Sequence, residues 1–445
     1  MTSQSGHMMN KTPSAVALVL AAALLGGCSA ISGLNPFAKK EELLPGERQS
    51  VIPQTGTEVS GGTPAISGAS AVAEWSQPGG NPANAPGNIS LAGTSGQAAW
   101  RSRVVTKASK RNVRPSVPPL VYGGRIFVYD TSGTVTSLSP GGGTIWSASL
   151  APEGEKSHVA GGGIAASGNA VYAATGFGEV VALDASTGNR LWGFKMSAPA
   201  HSAPTAAGGK VFVVSTTNVL HAVNLADGTE AWTYAGIPES AGVLSAASPA
   251  VSGDTVVVPY SSGEVTAFDT ATGDLKWADA VIRSTRTLAV SGLTDVAASP
   301  VIHDGIVYAT GISGRTIAVR LSDGERIWEQ NIGSASTPAV SGNAVFIVDL
   351  QDHLIAMDKS SGSIFWKTAL SVVRKKRFFS TWAGPTLAGN VLWLVSNDKR
   401  MIGVDPGTGS IVVDRALPSP AYVKPIAAGG QLLVLSADGS LSAFQ

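Results

Sequence analysis

The chain has 445 residues, of which 14% are charged, 53 are glycine and one is cysteine, and its formal net charge at pH 7 is +1. A charge balance this close to zero gives no reason to expect nucleic acid as a partner. A single cysteine excludes an internal disulfide, a cysteine-held zinc cluster and an iron–sulfur site. The low charge content and the many glycines favour an all-β protein.

An export signal is predicted at the N-terminus. Lys11 is followed by the apolar residues 15–25 and then by Leu25-Gly26-Gly27-Cys28. Because about 20 apolar residues are needed to cross a bilayer, this run of eleven is too short for a membrane helix. A basic start, a short apolar region and small residues before a cleavage point are the organisation of a signal peptide.

The tetrad that ends at Cys28 resembles a bacterial lipobox, in which the cysteine thiol is lipidated and becomes the mature N-terminus. The resemblance implies that residues 1–27 are a lipoprotein signal peptide and that Cys28 carries the lipid. A plain signal peptide with an incidental cysteine is the alternative. Ser29 stands where an aspartate would favour the inner membrane, so the implied location is the periplasmic face of the outer membrane.

Residues 28–95 are rich in Gly, Pro, Ser and Ala and contain few bulky apolar side chains. A segment of this composition buries too little surface to offset its ordering entropy, so it is predicted to be a flexible, lipid-anchored tether. Trp75 is the exception. It is expected either to dock the segment onto the folded domain or to remain exposed.

A repeated pattern runs from about residue 96 to the C-terminus, and such a fixed register is the signature of a repeat architecture. Each copy has a turn residue, alternating apolar residues, a small residue, an apolar residue and usually an acid. The eight copies are residues 133–139, 178–184, 218–224, 263–269, 314–320, 352–358, 399–405 and 439–445. Six copies are followed, seven or eight residues later, by a tryptophan: Trp146, Trp192, Trp232, Trp277, Trp328 and Trp366.

Each unit reads as four antiparallel strands joined by hairpins. Residues 202–232, for example, contain four short runs of period-two alternation bounded by turn residues. The last hairpin has the form Asp-x-x-Thr-Gly, as in residues 184–188, where the aspartate caps backbone amides and the glycine adopts a left-handed conformation. Calcium binding by these aspartates is the alternative, although equivalent positions hold Asn224 and Arg320.

The strand count predicts a closed ring. Seven copies are followed by a fourth strand, with Val413 replacing the tryptophan in the seventh, but the eighth copy ends the chain at Gln445. A spare tryptophan, Trp100, lies in a strand at the other end of the repeat region. We therefore predict that residues 96–445 form an eight-bladed β-propeller of four-stranded antiparallel blades, closed by pairing of the N- and C-terminal strands.

The A-x-D-x-x-T-G-x-x-x-W phrase of the repeat resembles the tryptophan-docking repeat of quinoprotein-type propellers. Two families share it. The quinoprotein alcohol dehydrogenases bind pyrroloquinoline quinone and calcium on the propeller axis, and the BamB family consists of lipoprotein subunits of the outer-membrane β-barrel assembly machinery. The dehydrogenases are larger and stack the cofactor on a disulfide between adjacent cysteines, which a chain with one cysteine cannot form.

The resemblance to BamB implies a non-enzymatic scaffold without a cofactor, in a complex that assembles and inserts outer-membrane β-barrel proteins. A dehydrogenase that uses pyrroloquinoline quinone is one alternative. An envelope lipoprotein propeller that binds another protein or a polysaccharide is the other. The implied partners are the periplasmic domains of the central barrel subunit, nascent β-barrel proteins and, through the lipid, the membrane.

A local match supports the BamB reading. Residues 293–300, LTDVAASP, resemble a family phrase, L-S/T-D-V-D-x-x-P, on a loop that helps hold the central barrel protein. Asp295 matches the first acid of the phrase, and Ala297 departs from the second. A turn-capping role for Asp295 is the alternative. The implied partner-binding residues are Leu293, Asp295 and Arg286, with Val243 and Leu244 from the preceding unit.

Two basic clusters, residues 101–114 and 374–377, stand out in a nearly neutral chain. Each is expected either to dock on an acidic protein surface or lipid phosphates, or to be a solvated loop. A client protein can be held by loop contact or by adding a strand to a blade edge, and the sequence favours neither mode. The six histidines show no close pairs at metal-ligand spacing, so no metal site is predicted.

Overall fold

The computed structural model describes residues 58–105, 117–155, 158–238, 247–281, 296, 298–375 and 378–445. Within these residues the strands form eight four-stranded antiparallel sheets and one two-stranded hairpin. The described part of the chain has no helix, and hence none long and apolar enough to cross a membrane. The predicted eight-bladed propeller is confirmed.

The blades are numbered 1 to 8 in chain order. Their strands are as follows: blade 1, Leu120–Tyr122, Arg125–Tyr129, Thr134–Leu138 and Thr144–Ser149; blade 2, Gly162–Ser167, Ala170–Thr175, Glu179–Asp184 and Arg190–Lys195; blade 3, Thr205–Ala207, Lys210–Val214, Val219–Asn224 and Glu230–Ala235; blade 4, Ala250–Ser252, Thr255–Pro259, Glu264–Asp269 and Leu275–Ala280. The second half continues in the same order: blade 5, Val301–His303, Ile306–Gly311, Arg315–Arg320 and Arg326–Gln330; blade 6, Ala339–Ser341, Ala344–Val348, His353–Asp358 and Ile364–Ala369; blade 7, Trp382–Ala388, Val391–Ser396, Arg400–Val404 and Ile411–Ala416; blade 8, Ile426–Ala428, Gln431–Leu435, Ser440–Phe444 and Ala98–Arg103. The two-stranded hairpin, Arg374–Lys375 and Phe378–Phe379, lies between blades 6 and 7.

The antiparallel topology gives the ring two different faces. On the first, called here the turn face, the first strand of each blade turns into the second and the third into the fourth. On the second, called here the loop face, the second strand turns into the third and the fourth leads to the next blade. Second and third strands are almost wholly buried, as in Val211–Val214 and Leu220–Val223, whereas fourth strands alternate exposed and half-buried residues. The core therefore lies between neighbouring blades, and the fourth strands form the rim.

The ring is closed between its two chain ends, as the strand count predicts. The fourth strand of blade 8 is Ala98–Arg103, which pairs with Ser440–Phe444 and places Trp100 opposite Ala443. The backbones of Gln97 and Gln445 exchange two hydrogen bonds of 3.1 and 3.0 Å beside this pairing. No free edge of the C-terminal strand is left for another chain to join.

Each repeat tryptophan docks on the next blade. The indole N–H of Trp146 donates to the carbonyl of Ala185, one residue after the turn aspartate of blade 2. The same bond, at 2.7–3.1 Å, links five further pairs in ring order: Trp192 to Leu225, Trp232 to Thr270, Trp277 to Leu321, Trp328 to Lys359 and Trp366 to Pro406. The tryptophans thus set the spacing between adjacent blades.

The glycine of the receiving turn makes room for the ring. At Gly273, which has a φ of +79°, an added Cβ would lie 2.6 Å from the ring of Trp232. The turn aspartate fixes an equivalent hairpin in each blade that has one: Asp184 accepts hydrogen bonds from the hydroxyls and the amides of Ser186 and Thr187, and these bonds, the hydroxyls' above all, lower its pKa to about 2. The aspartates are therefore turn residues, as the pattern indicates.

The two irregular positions of the repeat follow from closure. The connection between the third and fourth strands of blade 8 is broken by the chain ends, so no Asp-x-x-Thr-Gly turn exists there to receive a ring from blade 7. Val413 accordingly replaces the tryptophan, and an added Cβ on Gly96 would come within 3.2 Å of it. Trp100 packs on the turn at Gly142, but its indole N–H has no hydrogen-bond partner among the described residues.

Residues 58–97, called here the strap, differ from the expected tether. They cross the turn face to the ring axis and hydrogen-bond to the first strand, or the turn after it, of every blade. The partners in blade order are Val121, Ala166, Ala206, Val251, Ile302, Asn343, Gly389 and Gly430. First strands have an unpaired edge toward the axis, and the strap satisfies the backbone groups there.

Trp75 docks the strap at the centre of the ring. Its side chain is 1% exposed, and its backbone exchanges hydrogen bonds of 2.7 and 3.0 Å with Val121. The Asn84 amide donates to the carbonyls of Pro249 and Pro300, and Ile89 is fully buried. Composition alone misjudged this segment, because its core contacts come from the blades. Residues 28–57, including Cys28, lie outside the described residues.

Candidate partner-binding face

Two neighbouring connections on the loop face carry the predicted partner-binding residues. One joins blade 3 to blade 4 and the other joins blade 4 to blade 5. The five predicted residues themselves lie outside the described residues: Val243 and Leu244 in the first connection, Arg286, Leu293 and Asp295 in the second. The structure does describe the residues from which both connections leave the ring and to which they return.

The ends of the two connections are bonded to each other. The Ser248 amide donates to the Ser299 hydroxyl at 2.9 Å, and the two hydroxyls lie 3.3 Å apart. Both serines are buried, and the Ser299 amide in turn donates to Thr337 of the next connection at 3.2 Å. The two connections therefore return to the ring side by side, with a shared hydrogen-bonded base.

One hairpin of blade 4 holds both ends of the second connection. The amide of Val281 donates to Gly263 at 3.0 Å, and the amide of Val296 donates to Tyr260 at 3.3 Å. Val281 and Val296 are 0% and 1% exposed. Because both ends are buried and bonded to the same hairpin, the connection begins and ends at fixed points.

Asn218 fixes the start of the first connection. It has a φ of +58°, and its side-chain amide donates to the Ile237 carbonyl at 2.7 Å while its oxygen accepts from the Ser261 hydroxyl at 2.9 Å. Sequence reasoning identified Asn218 only as a turn residue. Its one signal was an amide side chain at a position where most copies have glycine.

Tyr260, which sequence reasoning did not single out, packs beneath the same base. It is 1% exposed, and burial raises the pKa of its hydroxyl far above the usual range. Its ring lies 6.5 Å from that of Tyr234, centroid to centroid. It is a neutral packing group beneath the loops.

The basic clusters also leave the ring on the loop face. The first, residues 101–114, begins within the closing strand, where Arg101 pairs with Asp438 at 2.6 Å, and leaves the ring after Arg103. The second contains the hairpin between blades 6 and 7. Residues 106–116 and 376–377 lie outside the described residues. The predicted segments thus share one face but occupy different sectors of it.

One small cavity lies at the ring axis in the part of the chain that the structure describes. A cavity of about 10 Å³ lies among Trp75, Asn84 and Lys424, which is room for about one water molecule and not for a quinone cofactor. The Lys424 ammonium lies 5.6 Å from the centroid of the Trp75 ring. Burial lowers the pKa of Lys424 to about 8. Among the described residues, no group of three or more His, Cys, Asp or Glu could hold a metal ion.

Comparison with solved structures shows the fold. The BamB structure from Moraxella catarrhalis matches with a TM-score of 0.65 at 19% identity, over 78% of this chain and 99% of that one. A europium-containing methanol dehydrogenase matches with a TM-score of 0.66 at 14% identity, over 81% and 89%. The chain has this structural similarity to members of both families, so it shows the fold but does not decide between the families.

Sequence comparison does separate them. BamB of Yersinia pestis is 28% identical over 254 residues, 56% of this chain and 65% of that protein. BamB of Escherichia coli K12 is 26% identical over 260 residues, 57% and 66%. The chain thus matches slightly less than two thirds of the length of these relatives. The family model described as outer membrane protein assembly factor BamB matches residues 131–368 and 373–445, well over half of the chain, and the protein therefore belongs to the BamB family.

Proposed function

We propose that the protein is a non-enzymatic scaffold subunit in the assembly and insertion of outer-membrane β-barrel proteins. Membership of the BamB family carries this proposal, since the matched relatives are named as assembly factors. The filled ring axis supports it as well. Trp75 and Asn84 of the strap lie at the axis, and the cavity that they line together with Lys424 is about 10 Å³.

The proposed location is the periplasmic face of the outer membrane, with Cys28 as the lipid attachment site. Only the sequence supports this anchor. Cys28→Ala is expected to release the protein from the membrane fraction, and mass spectrometry of the wild-type N-terminus should show a lipidated cysteine. Continued sedimentation of the variant with membranes, at low and high salt, would contradict lipidation.

The proposed partner is the set of periplasmic domains of the central barrel subunit. It would contact the adjacent connections between blades 3 and 4 and between blades 4 and 5. Their shared base at Ser248 and Ser299 supports the proposal, because it places the ends of the two connections side by side on one face of the ring. Val243, Leu244, Leu293, Asp295 and Arg286 are the proposed contacts.

Charge reversal at Asp295 tests this surface. Asp295→Arg is expected to reduce co-purification of the barrel subunit from solubilised membranes by tenfold or more, with the melting temperature nearly unchanged. Glu153→Arg is the matched control, since it makes the same charge change at an exposed position on the loop face beside blade 1. If Asp295→Arg lowers the melting temperature together with the co-purification, Asp295 is instead assigned to turn capping. Unchanged co-purification of the barrel subunit would exclude this surface.

A further inference from the structure

One repeat position at the loop-face end of the axis carries a charge in a single blade. It is the residue before the proline near the start of the first strand, a proline that blade 2 lacks. In the other blades, in chain order, this residue is Pro118, Ala203, Ser248, Ser299, Thr337, Gly384 and Lys424. Lys424 therefore places one cation at a point where the other blades place an uncharged residue.

Hydroxyl groups at this position link neighbouring blades. The Ser248 amide donates to the Ser299 hydroxyl at 2.9 Å, and the Ser299 amide donates to the Thr337 hydroxyl at 3.2 Å. The next blade has Gly384, which has no hydroxyl to continue the series. The series therefore stops before blades 7 and 8, the sector that contains Lys424.

The cavity of about 10 Å³ at the axis lies between Lys424, the strap and the first strands of blades 6 and 7. The other polar side chains that line it are already bonded to the protein. The Asn84 amide donates to two backbone carbonyls at 3.0 and 3.3 Å. The Thr386 hydroxyl and the Trp75 indole N–H each donate to one, at 2.6 and 3.4 Å. Among the lining residues that the structure describes, Lys424 is thus the side chain with hydrogens still to donate.

The Lys424 ammonium has no acid beside it in the cavity. The described residues that line the cavity include no aspartate or glutamate, and the ammonium lies 5.6 Å from the centroid of the Trp75 ring. Burial lowers the pKa of Lys424 to about 8, so the ammonium is still largely protonated at pH 7. A buried charge without a counter-charge is costly, and the partial exposure of Lys424 leaves a path for an ion from solvent.

We propose that this cavity binds one chloride ion, or another anion of a single atom, at the Lys424 ammonium. A buried water molecule needs about two to four polar partners, whereas the lining side chains offer one free donor. An anion only accepts hydrogen bonds, and it also compensates the buried charge. A volume of about 10 Å³ admits an ion of one atom and excludes sulfate, phosphate and gluconate.

The anion joins the strap to the blade that closes the ring. It pairs with Lys424 of blade 8, while Trp75 and Asn84 of the strap line the other side of the cavity. Blade 8 contains the pairing of the N- and C-terminal strands, so the ion stabilises the strap next to the ring closure. Anion binding at this point does not depend on the proposed scaffold role.

Melting of the purified full-length protein in sodium chloride and in sodium gluconate, at equal ionic strength and pH 7, tests the site. Chloride is expected to raise the melting temperature of the wild type by roughly 2 °C over gluconate, because an ion that binds only the folded state stabilises it. Lys424→Met should abolish this difference. Lys195→Met removes an exposed lysine at the rim of blade 2 and should retain the difference.

A second measurement uses the wild type alone and so does not depend on whether the variant folds. At pH 10 the ammonium of Lys424 is largely neutral, and no other titratable side chain lines the cavity among the described residues. The advantage of chloride over gluconate should therefore disappear at pH 10. Chloride should also reduce the rise in stability between pH 8 and 10.5, because it stabilises the protonated folded state.

Three results would overturn the proposal. One is an equal melting temperature of the wild type in chloride and in gluconate at pH 7. Another is a chloride effect of the same size in Lys424→Met, which would indicate a general effect of salt. The third is a chloride effect in the wild type that persists undiminished at pH 10, which would place the anion at another group.

Discussion

Seven of the eight interfaces between blades are set by an indole ring on one blade and a glycine on the next, and the interface of blades 7 and 8 has Val413 in place of the indole. The ring packs where a side chain would otherwise stand, as Trp232 does at Gly273, and its N–H satisfies a carbonyl of the same turn. The glycine is required twice, once by its positive φ and once by the ring. This pair is the residue-scale unit from which the array is built.

A glycine pair in blade 4 separates these two requirements. Gly273→Ala is expected to lower the free energy of unfolding by about 3 kcal/mol, because the methyl group adds a clash with Trp232 to the cost of the left-handed backbone. Gly253→Ala has only the second cost, about 1 kcal/mol, since its φ is +58° and nothing lies within 4 Å. Urea unfolding measures the free energy of unfolding of both variants, and equal losses would contradict the contact between Gly273 and the indole ring of Trp232.

Lys424 should make stability depend on pH. Burial lowers the pKa of this lysine from 10.5 to about 8, so between pH 8 and 10.5 the unfolded state binds more protons and stability rises with pH. The predicted gain from pH 7.5 to 10 is about 2 kcal/mol relative to Lys424→Met, reduced somewhat by attraction between the ammonium and the Trp75 ring. If the urea midpoints of the wild type and of Lys424→Met change in parallel between pH 7.5 and 10, the prediction is contradicted.

At the scale of elements, the strap acts as a ninth structural unit that joins the other eight. It has almost no regular structure of its own, yet it hydrogen-bonds to the first strand, or the turn after it, of every blade. Its stability therefore comes from tertiary contacts. The structure of such a segment cannot be predicted from periodicity or from the apolar content of the segment alone.

Two substitutions within the strap test its contribution. Trp75→Ala is expected to cost about 3–5 kcal/mol of unfolding free energy, because a fully buried indole is removed from the ring axis. Val59→Ala, in the same segment but 55% exposed, should change stability by less than about 0.5 kcal/mol. If the two variants melt alike, the strap does not stabilise the ring.

At the scale of the whole molecule, the first and last strands of the repeat region pair with each other, so the ring of blades is continuous. Ser440–Phe444 pairs on one side with Gln431–Leu435 and on the other with Ala98–Arg103, which is more than 300 residues away in the chain. Loss of this strand would open the ring where the N- and C-terminal strands pair and would expose the facing sides of two blades. The effect should therefore reach beyond blade 8.

Removal of Ser440–Gln445 tests the closure. We expect a drop in melting temperature of roughly 10 °C for the entire array, in one transition, because the buried side chains of Leu441 and Phe444 are lost together with two strand pairings. Differential scanning calorimetry follows this directly. A small early transition, followed by melting of the remainder at the wild-type temperature, would show independent blades.

The sequence by itself determined the strands, the blade number and the ring closure. These depend on local chemistry: period-two alternation, turn aspartates, and glycines spaced from tryptophans at a fixed distance. The count alone assigned Trp100 to the last blade, and the pairing of Trp100 with Ala443 confirms it. The family resemblance also followed from local phrases, and the family match supports it.

Only the tertiary structure decided how distant segments meet. The burial of Trp75, the reason for Val413 and the bonded base at Ser248 and Ser299 all depend on contacts between residues far apart in the chain. The composition of residues 58–95 reflects only their own apolar content, whereas the eight blades supply the surface and the backbone partners that order them. Local pattern specifies each blade, but the closed ring creates an axis and two faces that no single repeat contains.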